Sequence, residues 1–418
     1  MYNVTKLDNG IQIVTETMPF VRSISLGIWV KVGSQNEIPN LNGISHFIEH
    51  MLFKGTSKRS AKDIADQMDA IGGQMNAFTT KQMTCYHTRI LDENFDKALE
   101  IMADMFLNST FDENEMAKEK KVIIEEINMY EDTPEELVFE IMNEKVWKGS
   151  SISYPILGSI QNVQNFTRDH LLAYYQNNYI PENIVITVAG NFETSKMIYK
   201  LKQYFDSMPT KNCFRLPFNA KYKKGIVCKE KNIEQLHLCL GFPGIKISFE
   251  ESYAVALLNT ILGGGMSSRL YQKIREENGL AYSLFSYNYA YESVGLFTIY
   301  AAVNPEQAEK CVQVILDEIK NLQFDPITNE QLSKTKEQLK STYLMSLENS
   351  ANRMNSLGKS IISYDKALTP EQIIRQIDQV SIDQIYRLIN YIFRFDLLSL
   401  SAVGKGNYDF ERIIRDAQ

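Results

Sequence analysis

Alternating hydrophobic and polar residues predict strands at the start of the chain. Asp8-Asn9-Gly10 tolerates positive φ angles and is followed by the alternating residues 11–15 (IQIVT), which is typical of a β-hairpin. Residues 23–32 (SISLGIWVKV) are β-rich and predict a longer strand. Gly, Asn and Pro then interrupt the pattern over residues 33–43, and a helix is expected to begin near Ile44.

A second helix is predicted over residues 114–130. Asp112 stands just before it with Glu115 three residues later, a capping-box arrangement, and Phe111 can act as a hydrophobic staple. Pro134 ends the segment, because the residue before a proline disfavours helical geometry.

The middle of the chain carries prolines and small polar residues without periodicity, which predicts a linker. We expect an N-terminal half at residues 1–210, a linker at 211–224 and a C-terminal half at 225–418. The order of elements looks alike on both sides, since the strand at 23–32 parallels residues 236–242. In the same way, the segment NFDKAL at residues 94–99 parallels NPEQAE at residues 304–309. Two homologous α+β halves are therefore predicted.

Composition excludes several classes of protein. The 418 residues are 44% hydrophobic and 23% charged, as in ordinary globular proteins. Acidic residues outnumber basic ones by 51 to 44 without a long basic block, so neither nucleic acid nor a membrane surface is an expected partner. No apolar stretch reaches the roughly 18–20 residues of a membrane-spanning helix.

The cysteines and the N-terminus bear on the compartment. Five scattered cysteines without a C-x-x-C pair argue against a disulfide framework and against a cysteine-built zinc site. The first residues lack the apolar core of a signal peptide, so we expect an unprocessed cytoplasmic protein.

The sharpest local signal is the pentapeptide HFIEH at residues 46–50. Positions i and i+4 of a helix share a face, so His46 and His50 can offer two imidazole nitrogens to one metal ion. Glu49 lies close enough to that face to reach a metal-bound water, as in the mirror image of H-E-x-x-H. The alternative interpretation is a pair of surface histidines on an amphipathic helix.

An open zinc site needs a third protein ligand, and the helix predicted over residues 114–130 offers candidates. Glu119 and Glu126 lie two helical turns apart and share a face, whereas Glu125 is rotated by ~100° toward solvent. Helix geometry equally allows all three glutamates to form a charged outer face.

The motif HFIEHMLFKGT at residues 46–56, the downstream VIIEEI and the layout of the whole chain resemble the pitrilysin-type (inverzincin) zinc metallopeptidases. Among these, the chain is similar to bacterial proteases related to mitochondrial processing peptidase. The resemblance implies His46, His50 and Glu126 as zinc ligands, Glu49 as the general base and Glu119 as a supporting catalytic carboxylate. It also implies two α/β-roll halves of the LuxS and processing-peptidase type, each an antiparallel-rich sheet covered by helices, that form a clam-shell.

The same resemblance assigns residues that bind substrate. The segment GGQMNAFTT at residues 72–80 is similar to the family's exposed edge strand, where Asn76, Ala77 and Phe78 would pair with an extended peptide. Its alternative is an ordinary turn into a strand. Arg275 and Tyr282 match the family's pair from the second half, which binds substrate and stabilises the oxyanion. The nearby GGG at 263–265 is not a phosphate loop, because no G-K-[ST] follows it.

The expected function is that of a zinc endopeptidase with one Zn²⁺ per chain in its N-terminal half, since the second half has no H-x-x-E-H. Unfolded peptides enclosed between the halves are the expected substrates. The resemblance implies a dimer, and a homodimer is expected rather than a pair with a homologous partner chain. The alternative is a non-catalytic scaffold or partner subunit of the same fold.

Overall fold

The computed structural model describes residues 2–211, 220–248, 250–324 and 327–417. The chain divides into two compact units, each built from three segments. Unit 1 consists of Met1–Asn128, Tyr154–Pro217 and Met345–Thr369. Unit 2 consists of Met129–Ser153, Phe218–Leu344 and Pro370–Gln418.

Unit 1 contains a six-stranded sheet in the order β1-β2-β6-β3-β5-β4. The strands β2 and β6 pair in parallel, and every other neighbouring pair is antiparallel. Strand β4 therefore lies at one edge of this sheet. The strands are β1 (Tyr2–Lys6), β2 (Gln12–Thr17), β3 (Ser23–Val30), β4 (Gln74–Thr79), β5 (Thr84–Leu91) and β6 (Ile184–Gly190).

Helices cover both faces of the unit 1 sheet. Most of them pack on the face that includes Leu26 and Ile28 of β3, where the larger core lies. Among the described residues, one helix from late in the chain covers the opposite face around Trp29. The helices are α1 (Ile44–Leu52), α2 (Ala61–Ala70), α3 (Phe95–Asn108), α4 (Glu113–Glu131), α6 (Ile160–Asn165), α7 (Arg168–Asn178), α8 (Thr194–Phe205) and α12 (Ser350–Tyr364).

Unit 2 contains a five-stranded sheet in the order β7-β11-β8-β10-β9. Its parallel pair, β7 with β11, is followed by three antiparallel neighbours, as in the last five strands of the first sheet. The strands are β7 (Ile226–Glu230), β8 (Leu236–Pro243), β9 (Ala281–Ala290), β10 (Gly295–Val303) and β11 (Ser399–Gly404).

The helices of unit 2 enclose a core of its own, which includes Leu240 of β8 and Ile299 of β10. A π-helical segment, Tyr271–Glu277, leads into β9. The α-helices are α5 (Pro134–Val146), α9 (Ser252–Gly263), α10 (Ala308–Phe324), α11 (Asn329–Ser346), α13 (Pro370–Gln379), α14 (Ile382–Ile392) and α15 (Phe410–Ala417).

Each unit takes one helix from the other half of the sequence. Helix α5 packs on the unit 2 sheet, where the hydroxyl of Ser401 donates to the Val138 carbonyl at 2.7 Å. Helix α12 packs on the unit 1 sheet, and Gly358 lies so close to Trp29 that a Cβ atom would stand 2.2 Å from the indole. Only glycine fits at this crossing, so the helix can lie flat on the sheet.

The predicted α+β class with two sheets of like order is confirmed, and so are the elements predicted from local patterns. The hairpin turns at Gly10 with φ +106°, helix α1 begins at Ile44, and α4 begins after Asp112, whose carboxylate accepts from two backbone N–H groups. The predicted linker 211–224 falls largely outside the described residues, and the predicted half boundaries stay predictions. Every helix within the described ranges is too short or too polar to span a lipid bilayer.

Candidate metal centre

Helix α1 carries the H-x-x-E-H motif, and a buried carboxylate caps its first turn. Gly43, at the N-cap, has φ +98° and no side chain to cap the helix. Glu37 supplies the missing acceptors, since its oxygens accept from the Gly43 N–H at 2.7 Å and the Ser45 N–H at 2.8 Å. Burial raises the pKa of Glu37, and the backbone donors oppose this shift. The start of the motif helix is therefore fixed by a residue seven positions before it.

Helices α1 and α4 bring two imidazoles and one carboxylate together. Glu126 Oε2 of α4 lies 3.7 Å from His46 Nε2 and 3.6 Å from His50 Nε2 of α1. The three ligand atoms lie within 4.8 Å of one another, and they form the one group of this kind among the described residues. Glu125 is exposed, as its rotated position on the helix predicts.

The donor set fits a zinc ion. Four-coordinate zinc holds nitrogen and oxygen ligands at about 2.0–2.1 Å, which puts neighbouring ligand atoms roughly 3.3 Å apart. The N···O distances of 3.6 and 3.7 Å are close to that separation and too long for hydrogen bonds. Burial lowers the pKa of His46 to about 3, so its imidazole is neutral and has a free lone pair at physiological pH.

A second carboxylate orients one of the imidazoles. Glu119 Oε1 lies 2.7 Å from His50 Nδ1, and Oε2 lies 2.7 Å from the ammonium of Lys54. Burial would raise the pKa of Glu119, but hydrogen bonds from His50 and Lys54 outweigh it and keep the pKa below its ordinary value. An ionised acceptor at Nδ1 leaves Nε2 of His50 as the atom that can bind a metal.

The candidate base Glu49 lies on the same helix and is 9% exposed. Its Oε2 accepts a hydrogen bond from the Thr79 hydroxyl at 2.5 Å. Burial raises the pKa of Glu49, and the bond from Thr79 opposes the shift. A carboxylate whose pKa is raised toward neutrality is suited to accept and return a proton.

Strand β4, which ends at Thr79, lies at the sheet edge where the sequence predicts peptide binding. Ala77 packs toward the core beneath α1, whereas Phe78 faces the opposite side and meets Trp29 edge-on at 5.7 Å. Asn76 is exposed, and its side chain accepts from the Ala77 N–H at 2.8 Å. The three predicted residues thus share the edge strand but alternate between its faces.

The predicted pair Arg275 and Tyr282 forms a local arrangement within unit 2. The Arg275 guanidinium donates to the Tyr282 carbonyl at 2.9 Å and stacks over its ring at 4.6 Å. It also lies 5.0 Å from the ring of Tyr271, one turn earlier in the π-helical segment. Tyr282 is 75% exposed. The role of Arg275 and Tyr282 in a catalytic site stays a prediction.

Sequence reasoning missed three residues of the centre: Glu37, Lys54 and Thr79. Lys54 and Thr79 stand inside the two segments that carry the resemblance, but their partners Glu119 and Glu49 are distant in sequence. Glu37 gave one usable signal, since an acidic residue shortly before an uncapped Gly43 can serve the helix start.

Two sequence profiles cover most of the chain. Residues 12–159 match the profile described as Insulinase (Peptidase family M16). Residues 165–339 match the profile described as Peptidase M16 inactive domain. The first match contains the whole candidate metal centre.

Curated relatives match almost the whole length of the chain. The uncharacterized zinc protease YmxG of Bacillus subtilis (strain 168) is 42% identical over 399 residues, which cover 96% of this chain and 97% of that protein. An uncharacterized zinc protease of Rickettsia felis is 40% identical over 395 residues, covering 94% of this chain and 95% of that protein.

Two solved structures share the fold. A protease from Helicobacter pylori has a TM-score of 0.90 at 23% identity, covering 96% of this chain and 99% of that one. A structure described as the peptidase M16 inactive domain from Pseudomonas fluorescens has a TM-score of 0.90 at 21% identity, covering 97% and 98%.

Proposed function

This chain belongs to the pitrilysin (M16) family of peptidases, and on that premise we propose that it is a zinc-dependent endopeptidase acting on unfolded peptides. The observation that carries the proposal is the convergence of His46, His50 and Glu126, with Glu49 on the same helix. A structural zinc site would prefer four protein ligands, whereas three leave a position open for water.

His46, His50 and Glu126 would hold one zinc ion per chain. Zinc bound there supplies a Lewis acid that polarises water and the scissile carbonyl. Glu119 keeps the proton of His50 on Nδ1, since its Oε1 accepts there at 2.7 Å. The names of the relatives, which are called zinc proteases, support this choice of metal.

Glu49 acts as the general base in this proposal. It accepts the proton of the attacking water and returns it to the amine of the leaving peptide. Its burial and its bond to Thr79 support the assignment, because they hold one carboxylate oxygen in place and leave the other for water.

The substrate would pair with the edge strand β4 in an extended conformation. Backbone pairing gives affinity without reading sequence, and it favours segments that are free to adopt an extended conformation. Asn76, Ala77 and Phe78 would line the bound peptide. We further propose that Arg275 and Tyr282 bind substrate and stabilise the oxyanion, which requires the halves to close around the peptide like a clam-shell.

The proposed assembly is a homodimer in the cytoplasm. A single chain carries both the metal set and the Arg275/Tyr282 pair, so a catalytic partner is not needed. Four described cysteines are free thiols, which suits a reducing compartment. The fifth, Cys213, lies outside the described residues.

A non-catalytic scaffold is the second candidate function. The observation that favours it is the match of residues 165–339 to a profile described as an inactive domain. Against it stands the complete ligand set and base in the first half of the chain.

The deciding experiment is cleavage of a mixed library of unstructured peptides by the purified protein, read by mass spectrometry. We expect cleavage by the wild type and a loss of about 100- to 10,000-fold in Glu49→Gln, because the base is removed while its shape is kept. A metal chelator should abolish cleavage, and added zinc should restore it. Glu125→Gln is the matched control, since this exposed glutamate lies next to a ligand without facing the site.

Two outcomes would count against the proposal. If the zinc-loaded wild type cuts no peptide, a non-catalytic scaffold becomes the favoured hypothesis. If Glu49→Gln cuts as fast as the wild type, another group must be the base.

A further inference from the structure

Lys54 lies just beyond the end of the motif helix, where its backbone is held by the last turn. Helix α1 ends at Leu52, and the Lys54 N–H donates to the Met51 carbonyl at 3.1 Å. Its ammonium lies 2.7 Å from Glu119 Oε2, while the other oxygen of Glu119 lies 2.7 Å from His50 Nδ1. The two partners of this carboxylate therefore come from the same stretch of chain, four residues apart.

This bond matters because the Glu119 carboxylate is buried and His50 occupies only one of its two oxygens. The carboxylate is 5% exposed, and a buried charge with a single neutral partner is costly. The ammonium supplies the opposite charge and occupies Oε2, so Oε1 remains directed at Nδ1. The Glu119 side chain has three rotatable bonds. The contact with Lys54 restricts their rotation and so keeps Oε1 next to His50 Nδ1.

The same bond joins the two helices that carry the ligands. His50 belongs to α1 and Glu126 to α4, and Glu119 stands two turns before Glu126 on α4. A contact from Lys54 to Glu119 thus fixes α4 against the end of α1 close to the metal centre.

We propose that Lys54 is a positioning residue of the metal centre, which acts through Glu119 to hold His50 in the orientation and tautomer that bind metal. The inference rests on the proposed function, because it takes His50 as a ligand. Carboxylates that orient a ligating histidine typically contribute about 10- to 100-fold in metal affinity. A residue that holds such a carboxylate contributes part of that factor.

The test measures zinc affinity rather than turnover. Metal-free protein is titrated with zinc against a chromophoric chelator at pH 7, for the wild type, Lys54→Met, Glu119→Gln and the double variant. Lys54→Met keeps the length of the side chain but removes its charge, and we expect about 10-fold weaker binding. In the Glu119→Gln background the same substitution should change the affinity by less than about 2-fold, because the group through which it acts is already gone.

Two further variants separate the charge from the fold. Lys58→Met is the matched control, since Lys58 is exposed on the same loop, and it should bind zinc like the wild type. Lys54→Arg keeps a cation within reach of Glu119 and should restore most of the affinity. If Lys54→Met fails to fold, Lys54→Gln takes its place in the titration, because it also removes the charge and is expected to weaken zinc binding by about 10-fold.

The results distinguish the two proposals. A wild type that binds no zinc overturns the proposed function, and the role of Lys54 with it. A wild type that binds zinc, with Lys54→Met equally tight, overturns the positioning role alone. An equal loss with and without the Glu119 carboxylate also overturns it, because Lys54 would then act through its general field.

Discussion

At the scale of single residues, the hydroxyl of Thr79 is the group through which the edge strand reaches the candidate base. It donates to Glu49 at 2.5 Å and lies 3.4 Å from the Thr84 hydroxyl, which in turn donates to the Val32 carbonyl at 3.0 Å. These contacts connect the backbone just after β3 to the candidate base. Its geometry is set by the β4–β5 register, in which Thr79 pairs with Thr84.

We expect Thr79→Val to lower kcat by about 10-fold, because one hydrogen bond to a charged group contributes roughly 1.5–3 kcal/mol and part of it is recovered by water. KM should change little, since the valine keeps the shape of the strand. Steady-state cleavage of an unstructured peptide is the measurement, and Thr79→Ser should recover the rate. A Thr79→Val variant as fast as the wild type would mean that the base needs no such support.

Contacts of the site between residues close in sequence could be predicted from the sequence, whereas contacts between distant residues could not. His46 and His50 could be assigned to one face because helical periodicity relates positions four apart. The bond from Thr79 to Glu49 spans 30 residues and depends on strand register, so no local pattern reports it. Lys54 and Glu119 meet only after α1 and α4 have packed together.

At the scale of elements, helix α1 depends on an acceptor that it does not contain. Both oxygens of Glu37 face N–H donors, and Asn42 adds a third donor at 2.9 Å. A glutamine at this position would turn an NH₂ group toward one of these donors. The carboxylate is therefore required for its two acceptors and not only for its shape.

We expect Glu37→Gln to lower the free energy of unfolding by about 1–3 kcal/mol, the cost of leaving a buried donor unpaired. Urea denaturation of the metal-free protein, followed by circular dichroism, measures it. The exposed Glu125→Gln should stay within about 0.5 kcal/mol of the wild type. Equal midpoints for Glu37→Gln and the wild type would show that the cap is dispensable.

Elements with a strong local signal were predictable, and the partners of those elements were not. The Asp112 cap and the Asp8-Asn9-Gly10 turn are local, and both elements begin or turn where the pattern indicates. The packing of α12 on the first sheet is not a local feature, because it involves contacts such as that of Arg353 with Glu16, which lie 337 residues apart. No local pattern reports a contact between segments so far apart in the sequence.

At the scale of the whole molecule, the chain passes between the two units repeatedly. Unit 1 contains residues Met345–Thr369 between two segments of unit 2, and unit 2 contains Met129–Ser153 between two segments of unit 1. Each of these two segments is joined at both ends to the other unit. If one unit unfolds, its inserted segment is released from it while both ends stay attached to the other unit. Cooperative unfolding of both units is the expected behaviour.

The two tryptophans of the chain test this, since one is buried in each unit. Trp29 lies in unit 1 and Trp147 in unit 2, and both are at most 2% exposed. In Trp147→Phe the fluorescence reports unit 1, and in Trp29→Phe it reports unit 2. We expect fluorescence and circular dichroism to give the same urea midpoint within each variant. Separate midpoints in either variant would mean that the units unfold independently.

The exchange of helix α12 also has a consequence for biosynthesis. The metal ligands lie between residues 46 and 126, whereas the helix that covers Trp29 ends at Tyr364. A ribosome adds about 5–20 residues per second, so the face around Trp29 waits roughly 10–30 s after the first sheet is complete before its cover emerges. During that interval the nascent chain presents an open apolar surface, and this is the period in which chaperones and proteases compete for it.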